Sequence, residues 1–329
     1  MNRAEATWLG QIRRRGDGVR AGRVLVACSG GGDSVALLVF LSAVRRSLGL
    51  DLLVAHADHG LRPESGADAV FVQRLCRALD LDLAEARLQV RAHAAQAGLG
   101  LETAARELRW AWLRAEAAAC GAAWIATGHS LDDHSETVLL RLARGGGLGA
   151  LTPLPARQQD RWSPLIEVRR PALRDYLQRR GVPWREDPSN GEDFTPRNRI
   201  RKLFEPLRAE APALDAHLWE THRQARELEE WRDAQVRAWS PQRWSTVDGA
   251  LQLSGPWTEL ELRWVLEAAL PDLGAPVEAA LLRDLATWIC LRLGRRTRRP
   301  AEWGGWWLEP GDGAWKLRPP GPAPGRSPG

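Results

Sequence analysis

The sequence predicts an α/β fold: a Rossmann-like parallel sheet covered by helices, followed by a long connector helix and a smaller C-terminal unit. Three observations predict it. Short apolar runs alternate with segments of helical length and pattern. A glycine-rich turn, SGGGDS, directly follows the first of those runs. From Leu214 to Trp239, apolar residues recur at Leu214, Leu218, Ala225, Leu228 and Trp231, steps that keep one face of a single helix apolar.

The elements follow in order. Val24 to Cys28 (VLVAC) reads as a buried strand, and Val35 to Leu48 as a helix stopped by Gly49. Leu52 to Ala57 is a second strand, and Ser65 caps a helix to about Leu79. Leu81 to Arg87 is a candidate third strand. Glu102 to Cys120 is a helix ended by Gly121, Trp124 to Thr127 a fourth strand, and Asp132 to Arg144 a further helix. Strands alternating with helices imply a parallel sheet covered on both faces, with ligands at the carboxyl ends of its strands. RGGGLGALTPLP (144–155) breaks the pattern as a loop. Helical signal returns at Arg170 to Arg180 and near Asn198 to Ala209. Residues 1–210 are therefore expected as one α/β domain, 211–243 as the connector and 244–318 as a small unit rich in Trp and Arg. The tail 319–329 (PPGPAPGRSPG) is expected to be disordered.

Composition narrows the function. The formal net charge is +5, and of the basic residues only Lys202 and Lys316 are lysines. Arginine suits bidentate phosphate contacts, although GC-rich coding would also favour Arg and Trp. The four cysteines, Cys28, Cys76, Cys120 and Cys290, form no C-x-x-C pair. That argues against a zinc ribbon, an iron–sulfur site or a disulfide framework, and it fits a reducing cytoplasm. MNRAEATWLG carries no apolar signal core, and no run of about 18 apolar residues suggests a membrane span.

Ser29-Gly30-Gly31-Gly32-Asp33-Ser34 lies between a strand and a helix. Its glycines let backbone N–H groups close on an anion, the helix start adds its positive dipole end, and both serines can donate hydroxyls. A carboxylate beside phosphates makes sense with Mg²⁺ between them, so Asp33 is the candidate metal ligand. The loop lacks the G-K-[ST] ending of a Walker A motif. Asp132, Asp133 and Glu136 sit three and four apart on the first turn of a helix beside a strand end. Either they cap that helix or they form an anionic pocket. His56 and His59 lack a clear third metal ligand and are expected to line the nucleotide site or hold its loop. His129, at a strand end, is a candidate for proton transfer or nucleotide contact, or a structural histidine. Arg197, Arg201 and Lys202 with Asn198 form a basic cluster. Arg295, Arg296, Arg298 and Arg299 beside Trp303, Trp306 and Trp307 read as an RNA-binding patch or as a core with a charged rim.

SGGGDS after a buried strand resembles the loop of the PP-loop, or N-type, ATP pyrophosphatases. Further segments look like one family within them, the tRNA(Ile)-lysidine synthetases. These are HADHGLR (56–62), GLETAARELRW (100–110), TGHSLDDHSET (127–137), DPSN (187–190) and RNRIR (197–201). The resemblance covers roughly residues 20–210. The family usually has Tyr at Trp110, Gln at His134 and Arg at Ser163. The resemblance implies ATP cleaved between its α- and β-phosphates with Mg²⁺, the β,γ-pyrophosphate held by Ser29 to Ser34. It implies transfer of AMP to the wobble cytidine of tRNA(Ile), then attack by free L-lysine. Catalytic roles then fall to Asp33, Asp132, Asp133, Glu136, His129 and Arg201. Substrate contacts fall to Asp133, Glu136, Arg106, Arg109, Arg197 and Asn198, and tRNA contact to the C-terminal unit. The oligomeric state is left open, a homodimer being one option. The rivals are another PP-loop tRNA-modifying enzyme, thiolase-like, and a non-catalytic RNA-binding protein on a relic nucleotide fold. The first would need a cysteine pair near the site.

Overall fold

The computed structural model describes residues 2–15, 21–61, 65–186, 196–293, 299–311 and 314–320. Arg62, the DPSN segment, Arg295, Arg296, Arg298 and the tail from 321 lie outside the described residues, as does the side chain of Ser65. Packing divides the chain into two compact units, Met1–Ala225 and Arg226–Gly329.

The N-terminal unit runs α1 (Arg3–Arg15), β1 (Gly22–Ala27), α2 (Gly32–Leu48), β2 (Leu50–Asp58), α3 (Ser65–Leu79), β3 (Asp82–Arg87) and α4 (Val90–Ala97). It continues with α5 (Leu101–Cys120), β4 (Trp124–Ala126), α6 (Leu131–Leu142), a 3-10 turn (Leu148–Leu151) and the short hairpin β5 (Arg157–Gln158) and β6 (Arg161–Trp162). Then come α7 (Arg170–Arg179), α8 (Pro196–Glu210) and α9 (Leu214–Trp239), which carries the chain across the unit boundary. The sheet order is β3-β2-β1-β4-β6-β5, parallel except for the β5–β6 pair.

Successive residues of a strand face opposite sides of the sheet, and β1 shows it. Val24 and Val26 pack into the core shared with α1, α2, α3 and α7. Leu25 packs with Ile125, Leu113 and Ala117 in the core under α5. The apolar run VLV is thus what a strand covered on both faces requires. From β1 the chain builds outward through β2 to β3, then returns to place β4 on the other side of β1. That reversal opens a crevice at the carboxyl ends of β1 and β4, the usual ligand position in such sheets.

Four elements of this unit were not legible. In α1 only Trp8, Leu9 and Ile12 supply apolar burial, against Phe40 and Tyr176. Helix α4 is short, and the strands of the β5–β6 hairpin hold two residues each, too few for a period.

The C-terminal unit contains β7 (Trp244–Val247), β8 (Ala250–Leu253), α10 (Glu259–Ala269), α11 (Ala279–Leu293), β9 (Ala301–Trp303), β10 (Trp306–Pro310) and β11 (Trp315–Arg318). Its antiparallel sheet has the order β7-β8-β11-β10-β9. Trp306 and Trp315 are buried in its core, and Trp303 stacks on Trp288 at the margin. These tryptophans build the small core.

Candidate active site

The glycine loop leaves β1 through buried Cys28 and enters α2 at Gly32. Its two serines tie it together. Ser34 Oγ donates to Gly31 O (2.9 Å) and accepts from Ser29 N (3.2 Å), and the two hydroxyls lie 3.2 Å apart. His56 Nδ1 sits 2.9 Å from the carbonyl oxygen of Cys28, so this histidine holds the strand end that launches the loop. Trp184 and Arg185 brace the loop from outside: Arg185 N donates to Gly30 O (2.9 Å), and a Cβ on Gly32 would lie 3.3 Å from the Trp184 ring.

The first turn of α6 faces this loop from the end of β4. Gly128 makes the approach possible, because a Cβ there would stand 2.9 Å from the Asp33 backbone and from Ser34 Cα. Helix α6 opens with a capping box between Ser130 and Asp133. Asp133 Oδ2 accepts from Ser130 N and Ser130 Oγ, both at 2.9 Å. Its other oxygen, Oδ1, accepts from Arg170 (2.9 Å) and Arg197 (2.8 Å). One oxygen thus caps the helix while the other pairs with two guanidiniums.

Glu136 is 1% exposed and accepts from Arg170 (3.2 Å), Arg197 (3.0 Å) and Arg201 (2.9 Å). Asp33 accepts from Arg170 Nε at 2.9 Å. Burial raises the Asp33 carboxyl, and Arg170 offsets only part of that. Burial also works against ionised Asp133, but Arg170 and Arg197 outweigh it and hold the carboxyl down to about 2. Asp132 turns elsewhere. It accepts from Arg170 N (2.7 Å), Arg169 (3.1 Å) and Arg208 (3.0 Å), and Arg169 and Arg208 both continue to buried Asp215. The structure therefore joins Asp33, Asp133, Glu136, Arg197 and Arg201 and sends Asp132 to a neighbouring cluster that pins α7, α8 and α9.

His129 Nδ1 lies 2.7 Å from Thr127 Oγ1 and 3.2 Å from Ser163 Oγ, with those hydroxyls 3.0 Å apart. Burial, with Arg161, Arg197 and Arg109 adding to it, pushes its pKa down to about 4 against the pull of Asp133, so the ring is neutral at physiological pH. His134 packs edge-on against Trp219 and His222 behind α6, away from the loop, and burial takes it down to about 3. Among the described residues no three His, Cys, Asp or Glu side chains are grouped so as to hold a metal ion.

A model of the PP-loop domain matches residues 5–207. The chain belongs to the PP-loop family. It is 43% identical over 224 residues to a tRNA(Ile)-lysidine synthase of Nitratidesulfovibrio vulgaris, covering 63% of this chain and 64% of that protein. It is 34% identical over 296 residues to one of Ralstonia nicotianae, covering 84% of this chain and 63% of that protein. The chain thus spans less than two thirds of the length of these curated relatives. Among solved structures, a U34-tRNA thiolase from Methanococcus maripaludis superposes with a TM-score of 0.56 at 14% identity, over 68% of this chain and 80% of that one, a likeness of fold.

Around the PP-loop, Cys28 and Cys76 are buried and burial raises both thiols, Cys76 to about 12, so neither is a thiolate. Arg106 and Arg109, on α5, stay outside the carboxylate cluster. Arg106 lines a groove of about 530 Å³ between α5 and the β5–β6 turn, with Trp110, Arg114, Gln158, Asp160 and Arg161. This groove is not the PP-loop crevice itself. Arg114 and Arg161 both approach the Trp110 ring, at 5.6 and 5.9 Å. Burial and its neighbours Arg106, Arg114 and Arg141 lower the Arg161 pKa; burial and Arg106 lower that of Arg109. Asn198 lies beside Arg197 on α8. The residue that sequence reading missed is Arg170. It reads as an ordinary helix start, and only its contacts with carboxylates 34 to 137 positions away reveal its place.

Proposed function

We propose that this PP-loop chain ligates L-lysine to C2 of the wobble cytidine of tRNA(Ile) bearing a CAU anticodon, consuming ATP. The cytidine O2 attacks the α-phosphorus of ATP and the bond to the β-phosphate breaks, releasing pyrophosphate. The ε-amine of lysine then attacks C2, and O2 leaves with AMP. The carbonyl oxygen of cytidine is a poor leaving group, which is why adenylation must come first. The observation that carries the reading is the convergence of PP-loop Asp33 with Asp133 and Glu136 in one crevice. The names of the relatives support it.

Ser29 to Ser34 would hold the β,γ-phosphates through backbone N–H groups and hydroxyls, at the positive end of α2. The hard carboxylate oxygens of Asp33, beside that loop, fit Mg²⁺ shared with phosphate oxygens, and Mg²⁺ there would neutralise charge on the departing pyrophosphate. Arg197 and Arg201 face the same crevice and can pass from carboxylate to phosphate. Asp133 and Glu136 would receive the ammonium of lysine, whose ordinary pKa is about 10.4 and which must lose a proton before attack. In this reading His129, held through Nδ1 by Thr127 and Ser163, would accept that proton. A tRNA substrate of this kind would put the chain in the cytoplasm. No described helix is long and apolar enough to cross a membrane.

Pyrophosphate release with ATP, lysine and tRNA(Ile) tests the proposal, together with mass spectrometry of the digested tRNA. Release that needs the tRNA, and a lysine-bearing cytidine, are expected. Sulfur incorporation, or release without tRNA, would assign another acceptor. Light scattering of the purified chain decides whether it forms the homodimer.

A further inference from the structure

We propose that Arg170 is a positioning residue that makes binding ordered, the anionic nucleotide first and the cationic amine second; this rests on the lysine-ligating reading above. Arg170 is the first residue of α7, and its guanidinium uses all three nitrogens on three carboxylates. Nε donates to Asp33 on α2 at 2.9 Å. Nη2 donates to Asp133 and Nη1 to Glu136, both on α6, at 2.9 and 3.2 Å. Its backbone N–H donates to Asp132 at 2.7 Å, so the segment that carries it is fixed as well. The side chain is 15% exposed.

The charges facing this guanidinium decide its effect. Asp33 comes from α2, Asp133 and Glu136 from α6, Arg197 and Arg201 from α8, and Arg174 lies one turn along α7. Among the described residues, the ion-paired group holds three carboxylates, Asp33, Asp133 and Glu136, against three guanidiniums, Arg170, Arg197 and Arg201. Without nucleotide it has no net negative charge to attract an ammonium. An amine arriving first would have to displace a guanidinium and leave it partly buried without a partner, a costly exchange. Phosphates on the PP-loop change the balance. They stand next to Asp33 and offer Arg170 new acceptors, and the added negative charge leaves the carboxylates in surplus. Asp133 and Glu136 are then released to a cation. The amine site is built by the nucleotide, and by linkage the amine must tighten nucleotide binding by the same factor.

Calorimetric titration of the full chain with lysine, with and without α,β-methylene ATP and tRNA(Ile), tests this. For the wild type, lysine is expected to bind about tenfold or more tightly with nucleotide present, within the usual range of coupling between sites. Arg170→Gln leaves three carboxylates against two guanidiniums, so it should bind lysine without nucleotide and show coupling below about threefold. Arg170→Lys keeps the charge but offers one nitrogen to three carboxylates, and should fall between the two. If Arg170→Gln does not fold, Arg170→Lys decides: unchanged coupling overturns the proposal. Equal lysine affinity with and without nucleotide in the wild type also overturns it, while the ligase reading stands. No lysine binding even with nucleotide and tRNA overturns both. A residue with only a structural role would lower stability and leave the coupling factor where it was.

Discussion

Gly128→Ala puts one methyl group where the two halves of the candidate site meet. Its Cβ would lie 2.9 Å from the carbonyl carbon and oxygen of Asp33 and from Ser34 Cα. Carbon atoms rest at about 3.5–4.0 Å, so the backbones must part by roughly 0.6 Å. The obstructing atoms belong to the first turn of α2, with no flexible side chain to swing aside. Overpacking of this kind costs about 1–3 kcal/mol, and for a unit of this size each kcal/mol lowers Tm by about 2–4 °C. The functional loss should be larger. A shift of about 0.6 Å takes a hydrogen bond of ordinary length out of range, and a misplacement near 1 Å costs about 100-fold in rate. We expect pyrophosphate release to fall about 10- to 100-fold, with ATP affinity reduced and far-ultraviolet circular dichroism unchanged. Differential scanning fluorimetry and an ATP titration report the two effects separately. An alanine variant with wild-type Tm and ATP affinity would refute the claim that this contact sets the loop.

Four further outcomes are expected. Asp33→Asn should abolish pyrophosphate release while tRNA binding stays nearly intact; near-normal release would remove its metal role. Asp133→Asn keeps the shape but loses the charge paired with Arg170 and Arg197, and a charge-assisted hydrogen bond is worth about 1.5–3 kcal/mol. Lysine use should drop by roughly one to two orders of magnitude with adenylated tRNA accumulating, and a block in adenylation with lysine omitted would reassign the residue to the nucleotide. His129 and His134 have folded pKa values of about 4 and about 3 against an ordinary 6.5. The unfolded chain therefore binds more protons below about pH 6.5, and stability should fall as pH drops through that window; urea unfolding at several pH values checks it, and an acid limb that His134→Gln leaves unchanged would count against the assignment. Trp110→Ala with Arg161→Gln should weaken tRNA binding and reduce its salt slope by about one, leaving ATP affinity alone; an unchanged slope would mean the α5 groove carries no RNA phosphate.

The fold was legible where composition and spacing act locally. VLV is apolar on both faces because β1 is covered on both faces, and SGGGDS follows it because the chain must turn tightly into α2. The first-turn carboxylates of α6 were legible for the same reason: steps of three and four in sequence are neighbours on a helix. What those carboxylates face was not legible. Arg170 meets Asp33 across 137 positions and Arg201 meets Glu136 across 65, and no local pattern encodes such a meeting. The split between Asp132 and Asp133 was hidden too. Adjacent residues on a helix point about 100° apart, so one joins the crevice and the other pins α7, α8 and α9. At Ser163 the small hydroxyl completes the contacts around Thr127 and His129.

The dense pairing also bears on how the crevice holds together. Glu136 at 1% exposure would be costly as a lone charge. Three guanidiniums solvate it in place of water, and each of them reaches in from an element other than α6: Arg170 from α7, Arg197 and Arg201 from α8. Arginine can do this because its planar fork serves two or three acceptors at once, whereas lysine offers a point charge. The same arginines are the groups best suited to take phosphate oxygens when a nucleotide enters. The charge lattice that stabilises the crevice and the one proposed to receive ATP can therefore be built from one set of residues. The acidic cluster then gains its attraction for cations only through the exchange of partners that ATP brings.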